Sequence, residues 1–291
     1  TFKELKKNLK KSFDSSKSVK VSLLGDTATQ FLSIALQGTA IDRGYKLDLF
    51  EAEYNQVERQ IMDPTSELHI HEAKYTIIFQ STHKLLEHFS MSNPTSRAAL
   101  ADERITFLRN ACESIQGKVI CFNYPEIEDV VFGSYANQLE ESFTYQVRKL
   151  NYELMRLAQE IPNLYICDIA GLQNKFGRDW MFDSSVYVST EMILSLDALP
   201  YVASRTIDII DAIEGTFKKC LILDLDNTVW GGVVGDDGWE NIQVGHGLGI
   251  GKAFTEFQQW VKKLKERGII ICVCSKNDED KAKEPFPNPL L

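Results

Sequence analysis

The 291-residue sequence contains six cysteines, yet no two of them stand at C-x-x-C spacing and none falls into a zinc-binding pattern. Structural zinc modules and dithiol redox centres are thereby excluded, and the cysteines read as reduced thiols of a cytoplasmic protein. No apolar run approaches the roughly 20 residues that a membrane-spanning helix needs, and no signal-peptide core opens the chain. A basic surplus is also missing. Lys and Arg number 32 against 41 Asp and Glu, giving a formal charge of −9 and a pI of about 5.2. That balance argues against nucleic acid as the main partner. There is no internal repeat and no low-complexity tract. What remains, 44% hydrophobic and 25% charged, is ordinary for a soluble globular protein, and the length suffices for two domains.

The first two-thirds of the chain alternates apolar runs with helical patterns. Residues 19–24 read as a buried strand ending in Gly25-Asp26-Thr27, and 46–50, 75–80, 118–122 and 164–167 as further strands. Helical periodicity over 97–115 and 134–160 separates some of them. Such alternation predicts a parallel sheet with helices on both faces. Residues 191–213 read as one more helix, and Glu214-Gly215-Thr216 marks a joint, dividing the chain into 1–214 and 215–291. At the start, Phe2, Leu5, Leu9 and Phe13 line one face of a lysine-rich amphipathic helix over 3–11. Such a helix can touch a membrane or an acidic carrier protein, but more often docks on its own domain.

The most informative stretch begins at Cys220. A short apolar run, Cys220-Leu221-Ile222-Leu223, stops abruptly in Asp224-Leu225-Asp226-Asn227-Thr228. The run reads as a buried strand with both carboxylates at its carboxyl end, where ligands bind in parallel α/β sheets. Two carboxylates there can share a divalent cation, and one can attack an electrophile. The alternative is a plain acidic turn, which Asp and Asn favour. Gly231, Gly232, Gly235 and Gly238 follow in a turn-rich insertion. A helix is predicted over 252–267 with Phe254, Phe257, Val261 and Leu264 on its buried face and Gly268 as its cap. Residues 269–274 read as a second buried strand ending in Ser275-Lys276-Asn277-Asp278. A right-handed parallel closure brings Ser275 to the edge that carries Asp224. His246, flanked by glycines, reads as a solvated loop residue.

These residues resemble a family. Asp224-x-Asp226-x-Thr228 resembles the first motif of the haloacid dehalogenase (HAD) phosphotransferases, and Ser275 after an apolar strand resembles the second. The wording DLDNTVWGGVVGDDG and CSKND is similar to the FkbH-like branch, strongly so over 220–280. The resemblance implies that Asp224 is the nucleophile, forming an aspartyl-phosphate. It implies that Asp226 protonates the leaving group and then activates water. Mg²⁺ would be held by the Asp224 carboxylate and the Asp226 backbone carbonyl. Phosphoryl oxygens would be held by Ser275, Lys276 and the backbone N–H groups of Leu225 and Asp226. The substrate implied is a phosphorylated small molecule. An acyl carrier protein is a further partner, because some FkbH-like proteins load a glyceryl unit onto one. In that reading Cys274 can carry a thioester. The competing reading makes Cys274, with Cys272 two residues before it, a buried core residue.

The segment around Thr27 resembles the first block of SGNH hydrolases, with threonine where serine belongs. Arg178-Asp179-Trp180-Met181-Phe182-Asp183 contains no Asp-x-x-His, so this domain is expected to be non-catalytic. The fold class expected is α/β, with two doubly wound parallel-sheet domains. The first is SGNH- or flavodoxin-like, and the second is the front part of a HAD-like Rossmannoid domain. The HAD pattern also calls for a later lysine and acidic pair, which the tail with Pro285, Pro287 and Pro289 does not supply. The functions left beside a phosphatase or phosphotransferase are a non-catalytic module that binds Mg²⁺ and phosphate, and an esterase using Thr27.

Overall fold

In the computed structural model the described residues are 1–10, 17–127 and 129–286. Compactness divides the chain into Thr1–Glu214 and Gly215–Leu291. No helix among the described residues is long and apolar enough to cross a membrane.

The first unit is built on five strands, β1 (Ser18–Gly25), β2 (Lys46–Glu51), β3 (Tyr75–Phe79), β4 (Lys118–Phe122) and β5 (Leu164–Cys167). All pair in parallel, in the order β2-β1-β3-β4-β5. The strands read as continuous apolar runs because both faces of the sheet are covered. Val21, Leu23, Ile77, Phe79, Ile120 and Phe122 point into one core with helices Gln30–Asp42 and Leu199–Ile213. Leu24, Ile78, Val119 and Cys121 point into the other, against helices Pro94–Ser114 and Phe143–Glu160. Those two helices are fastened by Gln146, which is wholly buried. Its amide donates to the carbonyls of Ala98 (2.9 Å) and Glu140 (2.7 Å) and accepts from the Ala101 N–H (2.9 Å). Every polar atom of this core side chain is thus used, which is the condition for burying an amide.

Three predicted helices differ from the structure. The pattern over 134–160 is broken: a 3₁₀ turn, Gly133–Gln138, precedes the helix Phe143–Glu160. The break is Ser142, whose hydroxyl accepts from the Tyr145 N–H (3.2 Å) as an N-cap and donates to the Ala136 carbonyl (2.6 Å). Over 191–213 only Leu199–Ile213 continues to the joint. Glu191 is left-handed (φ 57°) and ends a short helix, Leu194 bridges to Phe182, and Pro200 sits in the first turn of the new helix, where its missing N–H costs nothing. The opening helix is Phe2–Asn8, closed by a Thr1/Glu4 capping box. It docks on its own unit, since Asn8 donates to the Gly38 carbonyl (3.2 Å) and to Asp42 (2.7 Å). A Cβ at Gly38 would lie 2.5 Å from the Leu5 carbonyl oxygen, so glycine is what admits the close approach. Lys11 and Phe13 of the predicted helix lie outside the described residues.

The second unit holds β6 (Cys220–Leu223) and β7 (Ile270–Val273), paired in parallel and joined through the helix Ile250–Glu266. Neither strand is the buried strand expected. Ile222 is 65% exposed and Ile270 61%, while Leu223 is buried. The reason is geometric. Phe257 and Val261 of the helix pack with Leu221, Leu223 and Ile271, but nothing described covers the alternate residues Cys220, Ile222, Ile270 and Cys272. The helical face also differs: Thr255 and Gln258 are its fully buried residues, and the predicted Phe254, Phe257, Val261 and Leu264 are half-buried. Gly268 does follow the helix with φ +97°, a left-handed position that suits glycine. Of the tail prolines, Pro285 is buried, and Pro287 and Pro289 lie outside the described residues.

Candidate functional site

Asp224 and Asp226 leave the carboxyl end of β6, and Ser275 and Asn277 leave that of β7. Asp224 is exposed. One of its oxygens accepts from the Leu225 N–H (2.9 Å), and the other has no partner among the described residues. Asp226 is held on every side. Its Oδ1 accepts from the Trp230 indole N–H (3.1 Å) and the Val234 N–H (3.1 Å), and its Oδ2 accepts from the Asn277 amide (2.7 Å). Asn277 also donates to the Ser275 hydroxyl through both its side-chain amide and its backbone N–H, each at 3.2 Å. The end of β7 is therefore tied to Asp226 rather than to Asp224.

The backbone after Asp226 folds back because the sequence permits it. Asn227 takes a left-handed φ of 54°, and its side chain accepts from the Gly232 N–H (3.0 Å). The Leu225 carbonyl accepts from Val229 (2.8 Å), whereas the Asp226 carbonyl accepts no hydrogen bond among the described residues. Trp230 is fully buried and carries the donor that fixes Asp226. Gly231 bridges to Gln243, and a Cβ there would meet Phe254 at 2.8 Å, so the insertion is pinned rather than loose. Arranged in this way, Asp224 is a free carboxylate beside a fixed one, with hydroxyl and amide donors arriving from the neighbouring strand.

Lys276 is exposed and bonds to none of these groups, and His246 is exposed in its loop. Cys272 and Cys274 are exposed, which corrects their reading as core residues: they fall on the uncovered face of the sheet. The Cys220 and Cys272 sulfurs lie 3.7 Å apart on that face, and the hydrogen bond from Cys220 raises its thiol above the ordinary range. Sequence reading missed Asn277 and Trp230 as holders of Asp226. The spacing of Asn277 from Ser275 was visible, but its partner lies 51 positions away. Among the described residues no group of three or more His, Cys, Asp or Glu is placed to hold a metal.

In the first unit Thr27 is buried, and its hydroxyl has no hydrogen-bond partner among the described residues. Asp183 caps the helix Ser184–Thr190, accepting from the Ser185 and Val186 N–H groups, and so is committed to structure. Asp26 is different. Burial pushes its carboxyl up to about 7, against the pull of the Ser81 N–H and the Arg104 and Lys84 charges. A folded-state value above the unfolded one of 3.8 means that the native state keeps a proton the unfolded chain has lost. Stability is expected to fall as pH rises from about 4 to about 7, by on the order of 3 kcal/mol. Asp26→Asn removes that slope in urea melts taken from pH 4 to 8. An unchanged slope in the variant places the titration elsewhere.

Fold and site together define a two-unit parallel α/β protein with paired carboxylates at one strand end. The model of the FkbH N-terminal domain matches residues 20–211, and the chain belongs to the FkbH family. It is also 66% identical to the N-terminal part of a Bacteroides fragilis protein, described as containing a phosphatase domain and solved in complex with Mg. That match has a TM-score of 0.96 and covers 100% of this chain and 78% of that one. More distant structures include the catalytic domain of Streptococcus pneumoniae peptidoglycan O-acetyltransferase A (14% identity, TM-score 0.40, 68% of this chain and 96% of that one). Another is an acetylxylan esterase mutant from Geobacillus stearothermophilus (12% identity, TM-score 0.43, 69% of this chain and 96% of that one). Likeness at that level says nothing of residues at a site. No curated protein matches the chain.

Proposed function

We propose that residues 215–291 carry a HAD-type phosphatase or phosphotransferase site acting on a phosphorylated small molecule, with Asp224 as nucleophile and Asp226 as acid and base. The observation that carries this is the asymmetry of the pair. Asp224 is exposed with a free oxygen, while Asp226 is oriented by three donors. The phosphatase domain and magnesium of the Bacteroides fragilis relative support it.

The residues present fit magnesium. The Asp224 carboxylate and the unbonded Asp226 carbonyl are hard oxygen donors, and Mg²⁺ characteristically takes one or two carboxylates, completing its shell with water and phosphate oxygens. Bound there, it would neutralise charge on the phosphoryl group and on Asp224. Asp224 then forms an oxygen–phosphorus bond as the ester oxygen departs with a proton from Asp226. Water next attacks the aspartyl-phosphate and gives its proton back to Asp226, freeing phosphate and Asp224. The Asn277 amide must yield Oδ2 when Asp226 is protonated, and the Ser275 hydroxyl is its other partner. Ser275 and the backbone N–H groups of Leu225 and Asp226 serve the phosphoryl oxygens. The exposure of Cys274 favours a second reading on the same site. With Leu223 paired to Val273, the next positions set Cys274 alongside Asp224, where a thiol can take an acyl group destined for an acyl carrier protein. Exposed free thiols suit a cytoplasmic setting.

The test is phosphate release from an aryl phosphate by the protein with Mg²⁺ and with EDTA. Release that requires Mg²⁺ is expected. Hydrolysis equal in EDTA counts against the site, and loss of acyl transfer alone in Cys274→Ser separates the two readings.

A further inference from the structure

The strand order β2-β1-β3-β4-β5 reverses direction between β1 and β3, and a crevice outside the carboxyl ends of strands at such a point is where open α/β sheets bind ligands. A crevice of about 340 Å³ lies there in the first unit, lined by Asp26 after β1, Gln80 after β3, and Lys84 and Arg104 from the helices Thr82–Met91 and Pro94–Ser114. Its polar groups are unevenly used. Both Asp26 oxygens accept from the Ser81 N–H, at 3.0 and 2.9 Å. Lys84 is paired with Glu87 (3.0 Å) and Glu191 (3.1 Å), so its charge is already engaged. Gln80 is buried and accepts from the Tyr124 hydroxyl (3.3 Å), while its amide N–H groups donate to nothing described. The Arg104 guanidinium lies 5.4 Å from the Phe107 ring and makes no ion pair or hydrogen bond among the described residues. A half-buried guanidinium and a buried amide with their donors unspent, side by side at a switch point, need an acceptor.

We propose that this crevice binds a small ligand through an anionic oxygen group, a carboxylate or a phosphate, seated on the Arg104 guanidinium and the Gln80 amide with Asp26 at its floor. Guanidinium is suited to the task because its planar fork donates two parallel bonds to either group. Asp26, raised by burial to about 7, is protonated below that pH, where its carboxyl can donate to the ligand rather than repel it. Glu58 and His88 complete the mouth and set what the rest of the ligand can be. All of its lining residues belong to the first unit, and the buried Thr27 is not among them.

The test is calorimetric titration of the intact protein with malonate and, separately, with inorganic phosphate, both in EDTA, together with crystals soaked in malonate or selenate. Saturable binding of at least one anion is expected, with density in the crevice against Arg104 and Gln80. Arg104→Gln should weaken that binding by about tenfold or more, since it removes a charge-assisted pair. Binding of malonate alone marks a carboxylate ligand, and binding of phosphate alone a phosphate ester. Absence of every anion tested from the crevice overturns the proposal, as does affinity that survives in a folded Arg104→Gln protein.

Discussion

Asp224→Asn is expected to abolish turnover, lowering it by about a thousandfold or more, while the melting temperature stays close to that of the parent protein. Asparagine has the shape of the carboxylate but not its nucleophilicity, and no phosphoenzyme can form without that oxygen. The side chain is exposed and, among the described residues, bonds only to its neighbour's N–H, so the fold loses little. Acid quenching with a labelled phosphate ester reads the covalent intermediate directly. Asp226→Asn supplies the contrast: the attack on phosphorus remains available, but the leaving group is unprotonated and water has no base, so both steps slow. Undiminished turnover in Asp224→Asn would falsify the assignment of the nucleophile.

Trp230→Ala should be the most damaging single change to the second unit, costing about 3–5 kcal/mol as a large buried aromatic is removed. The side chain is 0% exposed and packs with Leu223, Leu225, Val229 and Val234. It also supplies one of three donors to Asp226, so Trp230→Phe separates packing from positioning. The phenyl ring keeps much of the packing and loses the hydrogen bond. Urea melts should show a modest loss for Trp230→Phe, while its kcat falls further than its KM changes. Equal stability of Trp230→Ala and the parent would show that the indole is not the centre of this core.

The first unit was legible because its physics is local to each strand. Runs such as Val19-Lys20-Val21-Ser22-Leu23-Leu24 and Val119-Ile120-Cys121-Phe122 are apolar enough to be strands buried on both faces, and all five appear within a few residues of their expected bounds. Residues 139–142 were not legible as a break, because a serine cap looks like any polar residue within a helical pattern. The carboxylate pair at a strand end was legible only from Asp-x-Asp together with the motifs around it, since the spacing alone leaves a plain acidic turn open. The openness of β6 and β7 was not, since whether Ile222 is covered depends on what else packs there and not on isoleucine. Asn277 shows the same limit: its contribution is a contact with Asp226 on a different element, and an asparagine in a turn gives no sign of its partner.

The position of β1 in the middle of the sheet governs how this chain must fold. A ribosome releases β1 first, yet β2 on one side ends at residue 51 and β3 on the other starts only at Tyr75. Until then the apolar edge of β1 is open, and β4 and β5 later extend the sheet one strand at a time. Every pairing spans a crossover, so contact order is high and folding correspondingly slow. The helix Leu199–Ile213 is the last element of the unit to emerge, although it supplies Val202, Ile207 and Ile210 to the core of one face. A nascent chain that has already completed its sheet therefore still presents Val21, Ile77 and Ile120 without that cover. Chaperone engagement should be strongest while the chain ends between β5 and residue 213.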